Sequence, residues 1–258
     1  MSADLTTKKR RRFFGANIDL LTMDETLSAI ESIIERREAT QHVVVNVAKL
    51  VAMQQDVELK RVVNQCAIVN VDGQGVVWGA RRLGINVPER VAGIDLFERL
   101  IELASQKTYR TYLLGATDEV VKSVVETLQI RYPELKIAGF RHGYFSKTDE
   151  PEIAKDIRDS NADMLFVGIS SPKKEFFLQR NLGAMNVPFA MGVGGSFDII
   201  AGKTRRAPVW MQRAGLEWFY RLLNEPKRMW KRYLSSNAAF LVMLTKAKIF
   251  GKGRSDCD

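Results

Sequence analysis

The chain has 258 residues, 46% of them hydrophobic and 27% charged, which is enough to bury one large core and is typical of an ordinary globular protein. Its two cysteines do not suggest a disulfide framework, and no apolar run is long enough for a signal peptide or a membrane span, so we expect a cytoplasmic protein. The net charge of +9 at pH 7 favours phosphates, nucleic acid or anionic lipid as partners.

Short β-branched runs alternate with amphipathic segments through residues 13–202. The runs predict strands at residues 42–47, 68–71, 111–115, 136–140, 164–167 and 187–193. The segments predict helices at residues 23–36, 48–64, 75–83, 93–105, 118–132 and 172–182. Strands that alternate with helices indicate an α/β fold, with a mostly parallel sheet and helices on both of its faces.

Glycine-rich or serine-rich turns follow four of the predicted strands. They lie at residues 72–73, 115–117, 168–172 and 192–196. In open parallel sheets, ligands bind at the carboxyl ends of the strands, where such turns bring backbone N–H groups close to a phosphate. The four turns therefore predict a nucleotide site along one edge of the sheet.

Asp72 is the candidate catalytic residue because a buried strand leads into it and Gly73 and Gly75 follow. An unperturbed aspartate has a pKa of about 4, so near neutral pH Asp72 would be ionised and could deprotonate a sugar hydroxyl as a general base. An Asp-Gly pair is equally typical of an Asx-turn or of a helix N-cap. The motif alone leaves both interpretations open.

Several ligand motifs are missing from the sequence. It has no GxGxxG after the first strand and no GxxxxGK[ST] loop, which argues against dinucleotide-binding enzymes and P-loop NTPases. Its one Asp-x-Asp pair, Asp256 and Asp258, stands in the last three residues and follows no predicted strand, so it is not expected to hold a metal–diphosphate complex, and the sequence has no Cys/His cluster for zinc. We therefore expect no metal and no cofactor, and a phosphate site neutralised by arginine, lysine and backbone amides.

The charge is concentrated at the two ends of the chain. Residues 203–254 contain 13 Lys or Arg and only two acids, residues 8–12 add five positive charges, and residues 13–202 have a net charge of −4. We divide the chain into a basic arm (1–12), a catalytic domain (13–202) and an appendage (203–258). Aromatic residues interleaved with basic ones in the appendage are typical of a helix at a membrane surface, although they could instead pack on the body or on a partner subunit.

The order of several short blocks resembles the WecG/TagA/CpsF family of bacterial glycosyltransferases, over roughly residues 14–234. In the first half, the matching blocks are Asn46, the 72–77 segment DGQGVV, the 89–96 segment ERVAGIDL and residues 139–145. In the second half, they are the 172–175 segment PKKE, the 192–198 segment GVGGSFD, residues 201–202, 206–208 and 215–222, Glu225-Pro226, Arg228 and residues 232–234. Each block alone is weak, and their common order carries the resemblance.

The resemblance implies a Rossmann-like sheet and an inverting, metal-independent enzyme that extends polyprenyl-diphosphate-linked sugars at the cytoplasmic face of the membrane. Asp72 matches the family's proposed base. The residues that we expect to bind substrate, in the pocket and in the appendage, are Asn46, Arg90, Asp95, Lys174, Gly194, Gly195, Arg206, Arg221, Arg228 and Arg232, with Lys231 as an alternative to Arg232.

Two residues depart from the family pattern. Val44 stands where members that transfer amino sugars have threonine, and Lys174 replaces the glutamine of the usual Pro-Lys-Gln-Glu. Valine cannot hydrogen-bond through its side chain, and Lys174 adds a charge near the expected pocket. The donor sugar is therefore left open between glucose, a uronic acid, N-acetylmannosamine and another hexose.

The expected partners are a UDP-sugar, a lipid-linked acceptor and an anionic membrane surface, with a homo-oligomer possible and nucleic acid not expected. Two other classes of function compete with this prediction. The basic tail is also typical of a nucleic-acid-binding module. The nucleotide site alone would equally suit a non-catalytic sensor of nucleotide sugars.

Overall fold

A computed structural model describes residues 9–224 and 226–250, except for the side chains of residues 227–229, 231, 232 and 250. Its centre is a six-stranded parallel sheet in the order β4-β3-β8-β7-β5-β6, and a separate antiparallel hairpin, β1–β2, precedes it. The strands are β1 (Arg10–Phe13), β2 (Ala16–Asp19), β3 (Thr40–Val45), β4 (Ile68–Val71), β5 (Arg110–Gly115), β6 (Lys136–Arg141), β7 (Met164–Gly168) and β8 (Phe189–Gly192).

Twelve α-helices occur in the described part of the chain. They are α1 (Met23–Arg36), α2 (Val47–Gln55), α3 (Val57–Gln65), α4 (Gln74–Arg82), α5 (Gly93–Lys107), α6 (Asp118–Arg131), α7 (Glu150–Asp159), α8 (Lys173–Met185), α9 (Ser196–Ile200), α10 (Val209–Arg213), α11 (Glu217–Asn224) and α12 (Pro226–Phe250). The predicted α/β class and the parallel sheet are confirmed.

The two faces of the sheet carry separate apolar layers because successive strand residues point in opposite directions. In β7, Phe166 packs in the layer that contains α1, α5 and α6, whereas Leu165 and Val167 pack in the layer that contains α7 and α8. Phe97 of α5 meets Phe166 with their ring centroids 4.7 Å apart. Both faces are covered, which is why the strands read as continuous apolar runs.

The structure differs from the sequence-based expectations in three places. The single helix expected at 48–64 is two helices, because Asp56 leaves the helical conformation and its side chain accepts a hydrogen bond from Leu59 N at 2.8 Å. Helix α7 was not predicted. The hairpin was also missed, and the arm boundary after residue 12 lies inside β1, where Arg10 Nε donates to the buried carboxylate of Asp19 at 2.8 Å.

Helix α12 packs on the body through its second half. Phe240 and Leu244 are buried in the same apolar layer as Phe13, and Phe240 lies edge-on to Phe14 with ring centroids 5.8 Å apart. A β-carbon on Gly79 of α4 would lie 2.7 Å from Phe240 Cζ, so glycine permits this close approach. Phe240 and Leu244 therefore belong to the core, whereas Leu241 and Val242 between them are more than half exposed.

Candidate functional site

The predicted turns at 115–117 and 168–172 contact each other at the carboxyl edge of the sheet. Gly115 has φ 133°, and a β-carbon there would lie 2.7 Å from the backbone of Gly168. Only glycine combines this backbone conformation with such a close approach. The ends of β5 and β7 are thereby joined, leaving a concave surface above them.

A wide cleft of about 1050 Å³ opens over the ends of β5, β7 and β8. Its walls combine backbone turns with polar and aromatic side chains, which suits a ligand of nucleotide size. Gly194 and Gly195 line it, as predicted for the 192–196 turn. The lining residues that carry side-chain polar groups are Thr117, Tyr144, Ser146, Lys147, Asp149, Glu150, Ser170, Lys173, Arg180 and Asp198.

None of these ten side chains was among the expected site residues. Thr117 and Ser170 lie in turns that the sequence did mark, so the pattern could have found them. Lys147, Glu150 and Arg180 have no motif of their own, since the first two lie in or beside the unpredicted α7 and Arg180 is inside α8. Burial alone would raise the pKa of Glu150, but its hydrogen bonds from Arg180 and Asn181 hold it below the ordinary value.

A second group of residues, which we call the Asp72 pocket, lies at the ends of β3 and β4 and comprises Val44, Asn46, Asp72, Arg90 and Gly93. Gly73, not Asp72, is the N-cap of α4, and it makes no side-chain cap bond. Asp72 Oδ2 instead accepts a long hydrogen bond of 3.3 Å from Gly93 N at the start of α5. The helix-cap interpretation of the Asp-Gly pair therefore fails for α4, and the carboxylate points toward another helix.

Burial raises the pKa of Asp72 above the ordinary value for an aspartate, and Glu217 acts in the same direction. The charge of Arg90, the Gly93 N–H and the charge of Arg221 oppose this shift without cancelling it. A carboxylate with a raised pKa is a stronger base than a solvated one. Sequence reasoning expected the ordinary value, because burial cannot be seen in a motif.

Asn46 has a structural role in addition to its place in the pocket. It is the N-cap of α2, and its Oδ1 accepts from Lys49 N at 3.0 Å. A β-carbon on Gly73 would lie 3.8 Å from Asn46 Cβ, so Asn46 also borders the Asp72 loop. Its side-chain oxygen is occupied by the cap, which leaves the amide nitrogen as the group to offer to a substrate.

Four charged side chains form a chain that we call the charge bridge: Arg90, Glu217, Arg206 and Asp95. Glu217 Oε2 lies 2.6 Å from Arg90 Nη1, and its Oε1 lies 3.3 Å from Arg206 Nε. Arg206 Nη1 in turn lies 2.5 Å from Asp95 Oδ1. Three of the four were expected to bind substrate, whereas Glu217 was not singled out beyond its place in the 215–222 block.

A family model described as the glycosyl transferase WecG/TagA/CpsF family matches residues 11–254. The chain belongs to this family. Among curated proteins, an N-acetylglucosaminyldiphosphoundecaprenol N-acetyl-β-D-mannosaminyltransferase of Bacillus subtilis is 41% identical over 69% of this chain and 68% of its own length. Proteins of the same name from Bacillus spizizenii (37% identical, covering 70% and 69%) and Staphylococcus aureus strain MW2 (36%, covering 72% of each) are also similar.

The family assignment makes this chain a glycosyltransferase, and the arginines expected from the resemblance can be located in part. Arg221 lies in α11, close enough for its charge to lower the pKa of Asp72. The side chains of Arg228, Lys231 and Arg232 lie outside the described residues. Arg221 is thus within electrostatic range of Asp72, and all three arginine assignments stay expectations.

The second departure from the family pattern, Lys174, lies beside the turn that lines the wide cleft. A β-carbon on Gly194 would lie 3.2 Å from Lys174 Nζ. Lys174 Nζ is 3.9 Å from Glu175 Oε1, and the same oxygen accepts from Lys49 Nζ at 2.7 Å. The Lys174 side chain is largely buried, at 12% exposed.

Two features are absent from the described part of the chain. No three His, Cys, Asp or Glu side chains there are grouped so as to hold a metal ion. No helix of the same part of the chain is long and apolar enough to cross a membrane.

Proposed function

We propose that this glycosyltransferase moves a hexose from a UDP-sugar to a polyprenyl-diphosphate-linked saccharide, with inversion at the anomeric carbon, during synthesis of a bacterial surface polysaccharide. The observation that carries the proposal is a carboxylate of raised pKa, Asp72, at the same sheet edge as a cleft of nucleotide size. The curated relatives support the acceptor class, because their name specifies N-acetylglucosaminyldiphosphoundecaprenol.

The wide cleft is the proposed place for the nucleotide. Backbone N–H groups of Gly194 and Gly195 suit a diphosphate, and Lys173 with Lys147 adds positive charge at the wall. Tyr144, which is 74% exposed, offers a ring for stacking against a base. This arrangement leaves the sugar to extend toward β3 and β4, where Asp72 lies.

The proposed reaction is a single displacement. The Asp72 carboxylate takes the proton of the acceptor hydroxyl as that oxygen attacks the anomeric carbon. The bond from this carbon to the β-phosphate oxygen breaks, and UDP leaves with the bonding electrons. Arg221, Arg228 and Arg232 would meet the charge that develops on the diphosphate, and one such contact is typically worth about 3 kcal/mol. With charge neutralised by arginine, the step requires no metal ion.

For the donor sugar we favour glucose or a uronic acid over N-acetylmannosamine. Val44 Cγ2 and Asp72 Oδ2 lie 3.5 and 3.7 Å from the point where a β-carbon on Gly93 would be, so Val44 borders the reacting region with methyl groups alone. An acetamido group placed there would find no side-chain partner in Val44. Lys174 supplies a positive charge that suits a carboxylate.

The experiment is a donor panel with a lipid-linked acceptor. UDP release is measured for UDP-glucose, UDP-glucuronic acid and UDP-N-acetylmannosamine, with and without acceptor and with EDTA. We expect acceptor-dependent release with one of the first two and no loss in EDTA. Preference for the N-acetylmannosamine donor would overturn the choice of sugar, and absence of release with every donor would count against UDP-sugar transfer.

We also propose that the appendage holds the enzyme on an anionic membrane. Trp210 and Leu223 are 64% and 62% exposed, and the surrounding basic residues each contribute about 1 kcal/mol near such a surface. Replacing both by serine should release the protein from phosphatidylglycerol vesicles in a flotation assay. Ile130→Ser is the matched control, because Ile130 is 82% exposed on α6 of the body. Equal flotation of all three proteins would contradict the proposal.

A further inference from the structure

Glu217 joins two segments that are far apart in the sequence. It is the first residue of α11, and its carboxylate bridges Arg90, in the loop after α4, and Arg206, in the chain before α10. The side chains of Glu217, Arg90 and Arg206 are only 16–19% exposed. Ion pairs that are largely removed from water depend strongly on both partners, since a charge left alone there is poorly solvated.

A second contact docks the same segment on the catalytic loop. Gly215, at φ 73°, ends the turn before α11, and a β-carbon there would lie 2.7 Å from Cβ of Gln74. Gln74 is two residues beyond Asp72 and begins α4. The start of α11 is therefore held at two points, by the backbone packing at Gly215 and by the ion pairs of Glu217.

This docking determines where Arg221 lies. Residues four apart lie on the same face of a helix, so a helix fixed at Glu217 presents Arg221 one turn further along that face. The ion pairs and the Gly215 contact thus hold the start of α11 beside the Asp72 loop. Neither Glu217 nor Gly215 lines the wide cleft, so the docking is separate from the proposed nucleotide contacts.

We infer that Glu217 is a positioning residue: through the charge bridge it holds α11 against the Asp72 loop and so places Arg221 for the transfer step. It does not touch substrate itself. Arg206 and Asp95 were expected from the sequence to bind substrate. In this proposal they instead hold Glu217 in place, Arg206 by pairing with it and Asp95 by pairing with Arg206. The inference rests on the proposed function and adds a residue that the resemblance left without a role.

The test compares Glu217→Gln with the wild-type protein by three measurements. We expect kcat to fall at least tenfold and the Kd for UDP to rise by a smaller factor, because the cleft still holds the nucleotide while Arg221 no longer meets the diphosphate. Hydrogen exchange of the α11 amides, residues 217–224, should accelerate at least tenfold, with no change in the sheet. Glu217→Asp keeps the charge on a shorter side chain, so its kcat should lie between those of the wild-type protein and Glu217→Gln. This variant provides the test if Glu217→Gln folds poorly.

The matched control is Glu119→Gln. Glu119 also pairs with the appendage, through Lys203 at 3.4 Å, but its side chain is 85% exposed. We expect kcat within twofold of wild type, since exposed pairs contribute little. A double-mutant cycle of Glu217→Gln and Arg206→Gln provides a further check. If the two residues act together, the kcat of the double variant should be no more than about threefold below that of the slower single variant.

Three results would overturn the inference: a Glu217→Gln kcat within twofold of wild type, unchanged exchange in α11, or fully additive losses in the cycle. Failure of the proposed function looks different. If the wild-type protein turns over no UDP-sugar with a lipid-linked acceptor, the transfer reaction is wrong, whereas the exchange of α11 still reports on the docking.

Discussion

The wide cleft and the Asp72 pocket lie side by side on one sheet edge but are built in different ways. The cleft takes its shape from backbone turns, such as Gly115 against Gly168, that are fixed by the sheet. The Asp72 pocket depends on charged side chains from residues 72, 90, 206, 217 and 221. A site made by backbone is formed once the sheet folds, whereas a site made by distant side chains also needs the appendage in place.

The buried pair of Lys49 and Glu175 connects the two sites. Lys49 belongs to α2, which Asn46 caps beside Asp72, and Glu175 belongs to α8, which supplies Lys173 and Arg180 to the cleft. Burial alone would raise the pKa of Glu175, but Lys49 and Lys174 outweigh it and hold the pKa below the ordinary value. Helices that face different sites are thus held together by one ion pair.

The largest expected effect is a loss of turnover without a loss of UDP binding, which would assign catalysis to the Asp72 pocket and nucleotide binding to the cleft. Asp72→Asn should lower kcat about a thousandfold, because it removes the proposed base while preserving shape. The Kd for UDP should stay within twofold, since Asp72 is not part of the cleft. Turnover is followed by UDP release and binding by calorimetry. Near-normal turnover in a folded variant would refute the base assignment.

The wild-type pH profile provides the companion measurement. The base must be unprotonated, so kcat/KM should fall as the pH drops through the pKa of Asp72 in the folded enzyme. Because burial raises that pKa, the fall should begin at a higher pH than for a solvated aspartate, whose value is 3.8. A profile that stays flat down to pH 4 would contradict this environment.

The next effect tests the connection between the sites. Lys49→Met should lower the free energy of unfolding by about 3 kcal/mol, because it leaves Glu175, only 2% exposed, without its nearest cation. The measurement is urea unfolding at pH 7. Lys49→Met combined with Glu175→Met is the control and should cost less than the single change, since two apolar side chains tolerate burial better than one unpaired charge. A double variant less stable than the single would contradict the account.

The same contrast explains what the sequence could predict. Strand and helix periodicity identified the six sheet strands, and glycine turns located the carboxyl edge, because both signals are local. The charge bridge was not predictable as a structure: Arg90, Arg206 and Asp95 were named one by one, and nothing in the 215–222 block marked Glu217 as the partner of both arginines. The raised pKa of Asp72 also depends on burial and on a charge more than 100 residues away in the chain, that of Glu217 in α11.

A smaller effect should be confined to the wide cleft. Gly195→Val should weaken UDP binding about tenfold, a loss of about 1.4 kcal/mol, because the new side chain enters the cleft. The variant should still fold, since φ of Gly195 is −75°, which valine can adopt. The nearest atom to the new β-carbon, Asp198 Oδ2, is 3.8 Å away. Gly183→Val in α8 is the control, because nothing lies within 4 Å of its β-carbon and it does not line the cleft. Equal loss of affinity in both variants would argue against a nucleotide at this position.

The smallest expected effect returns to Asp72 and concerns stability alone. At neutral pH the carboxylate is ionised in both the folded and unfolded states, and a folded pKa raised by burial means that ionisation disfavours the folded state. Asp72→Asn removes that charge, so it should raise the free energy of unfolding, by at most about 1 kcal/mol because the residue is partly exposed and Arg90 and Arg221 offset the burial. The gain should shrink as the pH falls through the folded pKa, since Asp72 is then neutral as well.

Urea unfolding of both proteins at pH 7 and pH 4 measures this difference. A variant less stable than wild type at pH 7 would mean that the carboxylate serves the fold, and the division between a backbone-built cleft and a pocket kept for chemistry would no longer hold.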